Sequence, residues 1–472
     1  MKPQSHAFKE TAAHAIHDPG LQKALANVRS GFVAKRARAR SALPEFDQLC
    51  DEARDIKNHT LAHLNLYLEA YETKVREHGG HVHWATDAAE ACGIIADICR
   101  NQDARTVTKG KSMIGEEIAL NDHLERQGFE VFETDLGEYL IQIRGEAPSH
   151  IIGPAIHLTR PQIEADFRRV HTGLPADRNL DDATKLVAEA RAVLRERFVA
   201  ADVGITGANL LIAETGTSVI VTNEGNGDLT QTLPRTHIVI ASIEKMVPTL
   251  EDANTILRIL ARSATGQDMS TYTTFSTGPK RAGDPDGPDH YHVVLLDNGR
   301  SAMLGSQFHD MLRCIRCGAC INHCPVYNAV GGHAYGWVYP GPMGAVLTPS
   351  LVGIEEAGHL PNASSFCGHC EAVCPMSIPL PKLMRHWRER EVDEGRMPLV
   401  QRTLFKAWAF LAKRPALYRA ASSIGIASLS LLGRRQGRIR ALPFASSWTR
   451  HRDLPAPQGR TFRDQWRAGR RT

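Results

Sequence analysis

Cys314-Ile315-Arg316-Cys317-Gly318-Ala319-Cys320-Ile321-Asn322-His323-Cys324-Pro325 and, after an interval rich in glycine and proline, Cys367-Gly368-His369-Cys370-Glu371-Ala372-Val373-Cys374-Pro375 decide the reading of this chain. The first run has the spacing C-x2-C-x2-C-x3-C-P, in which three thiolates wrap one [4Fe-4S] cluster and the fourth ligates another. Steps of two residues keep successive sulfurs around one compact core. The proline after the fourth cysteine stops any helix and turns that thiolate the other way. Two [4Fe-4S] clusters follow. A zinc ribbon takes two C-x2-C pairs, so the third close cysteine and the Cys-Pro step would be superfluous. A disulfide framework belongs to small secreted chains, and this one has 472 residues.

Under the crossed arrangement Cys314, Cys317, Cys320 and Cys374 complete one cluster. Cys324, Cys367 and Cys370 leave the other with three thiolates. Counting back from Cys374 by the first run's spacings places Ser364 where an eighth cysteine would stand. The open fourth position admits Ser364, Ser365, His369, the distant His333, a partner's residue, water, or nothing, in which case a three-iron cluster becomes possible. A plain loop serine is the simplest reading of Ser364.

Length allows two to three domains and a large core. Apolar residues at 42% and charged residues at 23% are ordinary for a soluble protein. Glu10 and Asp18 interrupt the N-terminus where a signal peptide needs an apolar run, and the reading expects a cytoplasmic chain that does not span a membrane. Seven of the 10 cysteines lie in the two runs, which fits metal binding in a reducing compartment. Cys50, Cys92 and Cys99 fall in helix-like stretches and read as inert thiols. Net charge is +4, yet residues 401–472 hold 16 Lys and Arg against two acids, leaving the rest of the chain acidic. Such a basic tail suits an acidic partner, an anionic membrane surface touched peripherally, or the body itself. Its segment from Leu404 to Leu432 reads as too polar to span a bilayer. The basic run Lys35, Arg36, Arg38, Arg40 lacks interleaved aromatics, so no nucleic-acid partner is expected.

Asp18-Pro19 marks a helix start. From about residue 60 helices alternate with apolar strands: Thr106-Thr108, Phe129-Phe132, a strand beginning at Ile151-Ile152, then Leu210-Ala213, Val219-Thr222, His237-Ile240 and His290-Leu296. The pattern implies an α/β domain with a mostly parallel sheet covered on both faces. Glu116–Gln127 reads as one helix, and Gly305–Arg313 as a helix delivering Cys314. The divisions expected are an N-terminal helical segment 1–60, an α/β domain 61–304, a ferredoxin-like two-cluster domain 305–395 and a basic tail 396–472.

Ligand sites in open α/β sheets lie at the carboxyl ends of strands. Lys109, Lys111, Asn209, Glu214, Asn223 and Glu224 sit at such ends beside glycines and form the candidate site. Tight turns would use the same residues. No G-x-G-x-x-G follows a strand and no P-loop appears, so no NAD or flavin motif is present. The catalytic residues stay unassigned.

The cysteine runs, the Gly331-Gly332-His333-Ala334-Tyr335-Gly336 and Gly341-Pro342-Met343-Gly344-Ala345 loop, Ser364-Ser365-Phe366-Cys367, and Glu214-Thr215-Gly216-Thr217 with Thr222-Asn223-Glu224-Gly225-Asn226 together resemble the lactate utilization protein B family. The resemblance runs from about residue 60 into the tail. It implies an α/β LUD domain of the NagB, ribose-phosphate isomerase and CoA-transferase group. It also implies an iron-sulfur electron-transfer subunit of a three-protein system oxidising L-lactate to pyruvate. That family has three cysteines in its second run, so the residue at 364 is typical of it. The alternative is a hydroxy-acid oxidoreductase whose α/β domain itself carries the substrate site.

Overall fold

In the computed structural model, residues 3–442, 445–449 and 452–469 are described. Ten strands precede the cysteine runs: β1 His81–Ala85, β2 Thr106–Lys109, β3 Glu130–Glu133, β4 Val203–Gly207, β5 Leu210–Ile212, β6 Thr217–Thr222, β7 Thr236–Ser242, β8 Met246–Val247, β9 Tyr272–Ser276 and β10 His290–Leu296. Six form one all-parallel sheet in the order β1-β10-β7-β4-β2-β3. Its central strands are apolar on both faces. Along β7, Ile238 and Ile240 enter one core while Val239 and Ala241 enter the opposite one. That is the two-residue period of a strand buried between helical layers. Helix Ala88–Asn101 covers one face, opened by the Asp87 carboxylate, which accepts from the Glu90 N–H at 2.9 Å.

The connections after β2 and β4 leave in opposite directions, β2 running outward to β3 and β4 returning toward β7. A crevice therefore opens beyond the carboxyl ends of these two neighbouring strands. Gly204 in β4 is required by close packing: a Cβ there would lie 1.7 Å from the carbonyl oxygen of Thr230 in the helix that covers the strand.

Several elements differ from the sequence expectation. β5 and β6 are an antiparallel hairpin in a separate four-stranded sheet, β8-β5-β6-β9, and take no part in the parallel sheet. Ile151-Ile152 begins no strand. The His150 ring accepts the N–H groups of Ile152 and Gly153 at 3.1 and 3.3 Å and folds this stretch into a bend. Glu116–Gln127 is two helices, Met113–Glu117 and Leu120–Arg126, parted by Ala119 at φ 54°. Within Gly305–Arg313 only His309–Arg313 is helical, as a 3-10 turn.

Asp18 opens helix Pro19–Val28, its carboxylate accepting from the N–H groups of Gly20 and Leu21. Helix Phe46–Ala62 packs against helix Leu250–Ala264, and one continuous core runs from these helices to the cysteine region. A buried charge network also joins the α/β domain to that region. The Arg300 guanidinium grips both Glu117 oxygens at 2.9 and 2.7 Å and pairs with Glu244 at 2.9 Å. Glu244 also pairs with Arg316, and the Tyr339 hydroxyl donates to Glu117 at 2.7 Å.

Residues up to 390 form one compact unit and those from 391 a second. In the second unit, helices Leu399–Ala412 and Pro415–Gly433 contain a single buried residue, Gly433. By length and composition Pro415–Gly433 is, among the described residues, the one helix apolar enough to cross a membrane. This revises the reading of that stretch as too polar. Arg419 is the helix's only charged residue, and its serines lower the mean hydropathy less than charges would.

Candidate iron-sulfur centre and adjoining cavity

The two cysteine runs have the same local backbone. Arg316 and Phe366, each preceding a cysteine, adopt φ 59° and 54°, and Gly318 and Gly368, each following it, adopt 71° and 80°. A four-residue helix comes next in both, Ala319–Asn322 and His369–Ala372. Left-handed residues on either side of a cysteine curl the chain around its sulfur. This repeat aligns Ser364 with Cys314.

The thiols fall into two neighbourhoods. Burial pushes Cys320 up, and Cys314, Cys317, Cys374 and Cys370 add to the shift. Cys317 is raised by burial and next by Cys374, with Cys314 among the smaller causes. Burial raises Cys370 to about 12, with Cys324 and Cys367 as its thiol neighbours. Seven sulfurs brought together by two such runs are a donor set that fits iron-sulfur clusters. Cys324, Cys367 and Cys370 line one small cleft together with Ser364, Ser365 and His369. His333 is not among the residues lining it. The Ser364 hydroxyl accepts the Phe366 N–H at 3.1 Å, as a loop serine does.

Their surroundings differ. Arg36 and Arg313 lie beside Cys374, with Arg36 also near Cys317, and Lys57, Lys245 and Arg316 lie near Cys314. Burial pushes Lys57 down to about 7 and Lys245 down to about 8. Cys324 instead meets a hydroxyl, that of Tyr335, and the Tyr327 N–H at 3.5 Å.

The crevice between β2 and β4 widens into a cavity of about 1550 Å³. Lys111, Asn209, Asn223 and Glu224 line it, and so does Cys317. Two sequence candidates sit elsewhere. Lys109 is fully buried between Glu116 and Glu133, at 2.8 and 2.7 Å. The Glu214 carboxylate accepts the Leu250 N–H at 3.3 Å. The cavity also gathers Arg191, Arg195, Lys245, Arg316 and Tyr339, which strand-end glycines could not reveal. Its five cations outnumber Asp135 and Glu224, so the lining favours an anion. The Thr222 hydroxyl and the side-chain amide oxygen of Asn226 are buried there without a hydrogen-bond partner.

Over its whole length the chain is 42% identical to lactate utilization protein B of Bacillus licheniformis and 41% identical to that of Bacillus subtilis, covering 98% of each. The chain belongs to the lactate utilization protein B family. Residues 68–296 match the LUD domain, 310–378 a 4Fe-4S dicluster domain, and 386–470 the lactate utilisation protein B C-terminal domain. The dicluster match and the thiol geometry agree on iron-sulfur clusters as cofactor. A crystal structure of a DUF162 family protein from Deinococcus radiodurans covers 49% of this chain and 98% of its own, at 15% identity and a TM-score of 0.29.

Proposed function

We propose that the chain is the iron-sulfur electron-transfer subunit of a multi-protein system oxidising L-lactate to pyruvate. Its first cluster is held by Cys314, Cys317, Cys320 and Cys374. Its second is held by Cys324, Cys367 and Cys370, with Ser364 at the place of the eighth cysteine. The single observation that carries this reading is that Cys324, Cys367 and Cys370 line one cleft while Cys317 has Cys374 and Cys314 as its thiol neighbours. Bound [4Fe-4S] clusters supply one-electron transfer. The protein's part is electrostatic. Arg36, Arg313, Arg316 and Lys245 place positive charge around the first set, which favours its reduced state, whereas the second has the Tyr335 hydroxyl. Redox titration followed by electron paramagnetic resonance is expected to resolve two potentials, the higher belonging to the set that Cys374 completes. Equal potentials would count against this assignment.

The cavity favours a second reading, in which the α/β domain itself binds a hydroxy acid. Lys245, Arg316 and Cys317 all line this cavity. Saturable, lactate-dependent bleaching of the isolated chain supports this reading. Bleaching only with partner subunits leaves the first.

We divide this cytoplasmic protein at 1–60, 61–304, 305–395 and 396–472, with the basic tail a segment of its own and the cavity of 61–304 closed on one side by Arg316, Cys317 and Tyr339 of the cysteine segment. For the tail we favour peripheral contact with an anionic membrane, because Leu399, Leu404 and Trp408 are 77%, 64% and 62% exposed on a strongly basic segment. Flotation with phosphatidylglycerol vesicles, lost in Trp408→Asp, tests this. Flotation unchanged in that variant speaks against it.

A further inference from the structure

His333 has a different setting from the one its place between the cysteine runs suggests. Glu146, His157 and His333 each bring one ligating atom within 4.8 Å of the others. Hydrogen bonds hold all three side chains in place. The Ser149 hydroxyl lies 2.9 Å from the Pro154 carbonyl oxygen and 2.8 Å from His157 Nδ1, which sets the orientation of the imidazole ring. His157 Nε2 then faces Glu146 Oε2 at 2.9 Å. With Nδ1 donating to the hydroxyl, as a metal-bound imidazole donates its far N–H to a neighbouring oxygen, Nε2 offers its lone pair on the side of this carboxylate.

His333 Nε2 lies 2.8 Å from the Ala147 carbonyl, which can only accept, so its Nδ1 keeps a lone pair. Arg144 Nε donates to Glu146 Oε1 at 2.9 Å and leaves Oε2 toward the histidines. The His157 side chain is 11% exposed, while Glu146 at 30% and the exposed His333 keep the site open to solvent.

We infer that Glu146, His157 and His333 bind a divalent transition-metal ion of the zinc type. Two imidazoles and one carboxylate are a zinc donor set that leaves a fourth position for water. Ser149 acts as a positioning residue, orienting the His157 ring through its far nitrogen. The ion would tie the 146–157 segment of the α/β domain to the glycine-rich loop between the cysteine runs. These backbones already touch, since a Cβ on Gly332 would lie 1.7 Å from the Ser149 carbonyl oxygen. Tyr335, whose hydroxyl bonds Cys324, is two residues beyond His333. The metal would thus brace the loop that supports the second thiol set.

The test is equilibrium dialysis of the anaerobically purified, cluster-loaded chain against Zn²⁺, with zinc and iron counted by mass spectrometry. The wild type is expected to take up about one zinc per chain beyond its iron, as a single site of this donor set requires. His333→Gln, a substitution at an exposed position, is expected to lose that zinc while retaining its iron. Ser149→Ala is expected to weaken uptake by about 10–100-fold. A cluster-loaded wild type that takes up no zinc overturns the inference, as does a His333→Gln chain that binds zinc as tightly as the wild type.

Discussion

Replacing Arg300 by methionine removes the hub of the buried network that links the α/β domain to the cysteine region. Arg300, Glu117 and Glu244 are 0%, 0% and 2% exposed at their side chains, so water cannot take over the lost contacts. Three charge-assisted contacts disappear together, and two carboxylates stay buried with less compensation. Breaking a buried ion pair by removing one partner costs about 3–5 kcal/mol. With an unfolding entropy of about 2.1 cal/mol/K per residue, that loss lowers the thermal midpoint of a unit of about 390 residues by about 4–6 °C. Calorimetry on the cluster-loaded protein reads this directly. Arg300→Lys keeps the charge but not the two-pronged grip on Glu117, and is expected to fall between wild type and Arg300→Met. A shift below about 1 °C for Arg300→Met would refute the reasoning, because it would place the pair in the range of solvated surface ion pairs.

Glu138 gives a pH-dependent case. Burial, then Glu116 and Glu133, raise its carboxyl well above the ordinary range. A group whose folded value is raised holds its proton more tightly in the native state, so native stability is lost as pH rises from the unfolded carboxyl value through the folded one. Glu138→Gln is expected to raise the melting temperature at pH 8 more than at pH 4, and an equal gain at both would contradict this. Gly204→Ala forces a methyl into the Thr230 carbonyl and is expected to cost at least about 1–3 kcal/mol in denaturant titration; a neutral result would refute the packing argument. Arg36→Gln removes a buried positive charge beside Cys317 and Cys374 and is expected to lower the potential of that cluster alone. A matching fall in both potentials would show the effect to be nonlocal.

Different parts of this architecture were legible to different degrees. The cysteine spacing announced the metal chemistry because sulfurs close in sequence must curl around a common core. The parallel sheet was legible through the unbroken apolar strands β7 and β10. The β5–β6 hairpin was misplaced because an apolar run reads alike in either sheet, and nothing local says that Gly216 turns the chain back on itself. β1 escaped notice because His81, His83 and Trp84 make His81–Ala85 too polar for a buried run, as befits an edge strand. Lys111 and Asn209 were found from their strand-end positions, whereas Lys245, Arg191 and Arg195 reach the cavity only through tertiary packing. Lys109 carried the same sequence signal as Lys111 but points into a carboxylate cluster two residues earlier. His333 shows the limit most plainly, since its partners Glu146 and His157 lie in another domain.

The central claim is that seven cysteines hold two separate clusters with crossed ligation. It is tested most directly by iron analysis and electron paramagnetic resonance of the anaerobically purified chain, alongside Cys374→Ser and Cys370→Ser. About eight irons, or about seven if the second centre is a three-iron cluster, and two separable signals are expected, with Cys374→Ser altering one signal and Cys370→Ser the other. A total near four irons, or both substitutions altering the same signal, would contradict the account.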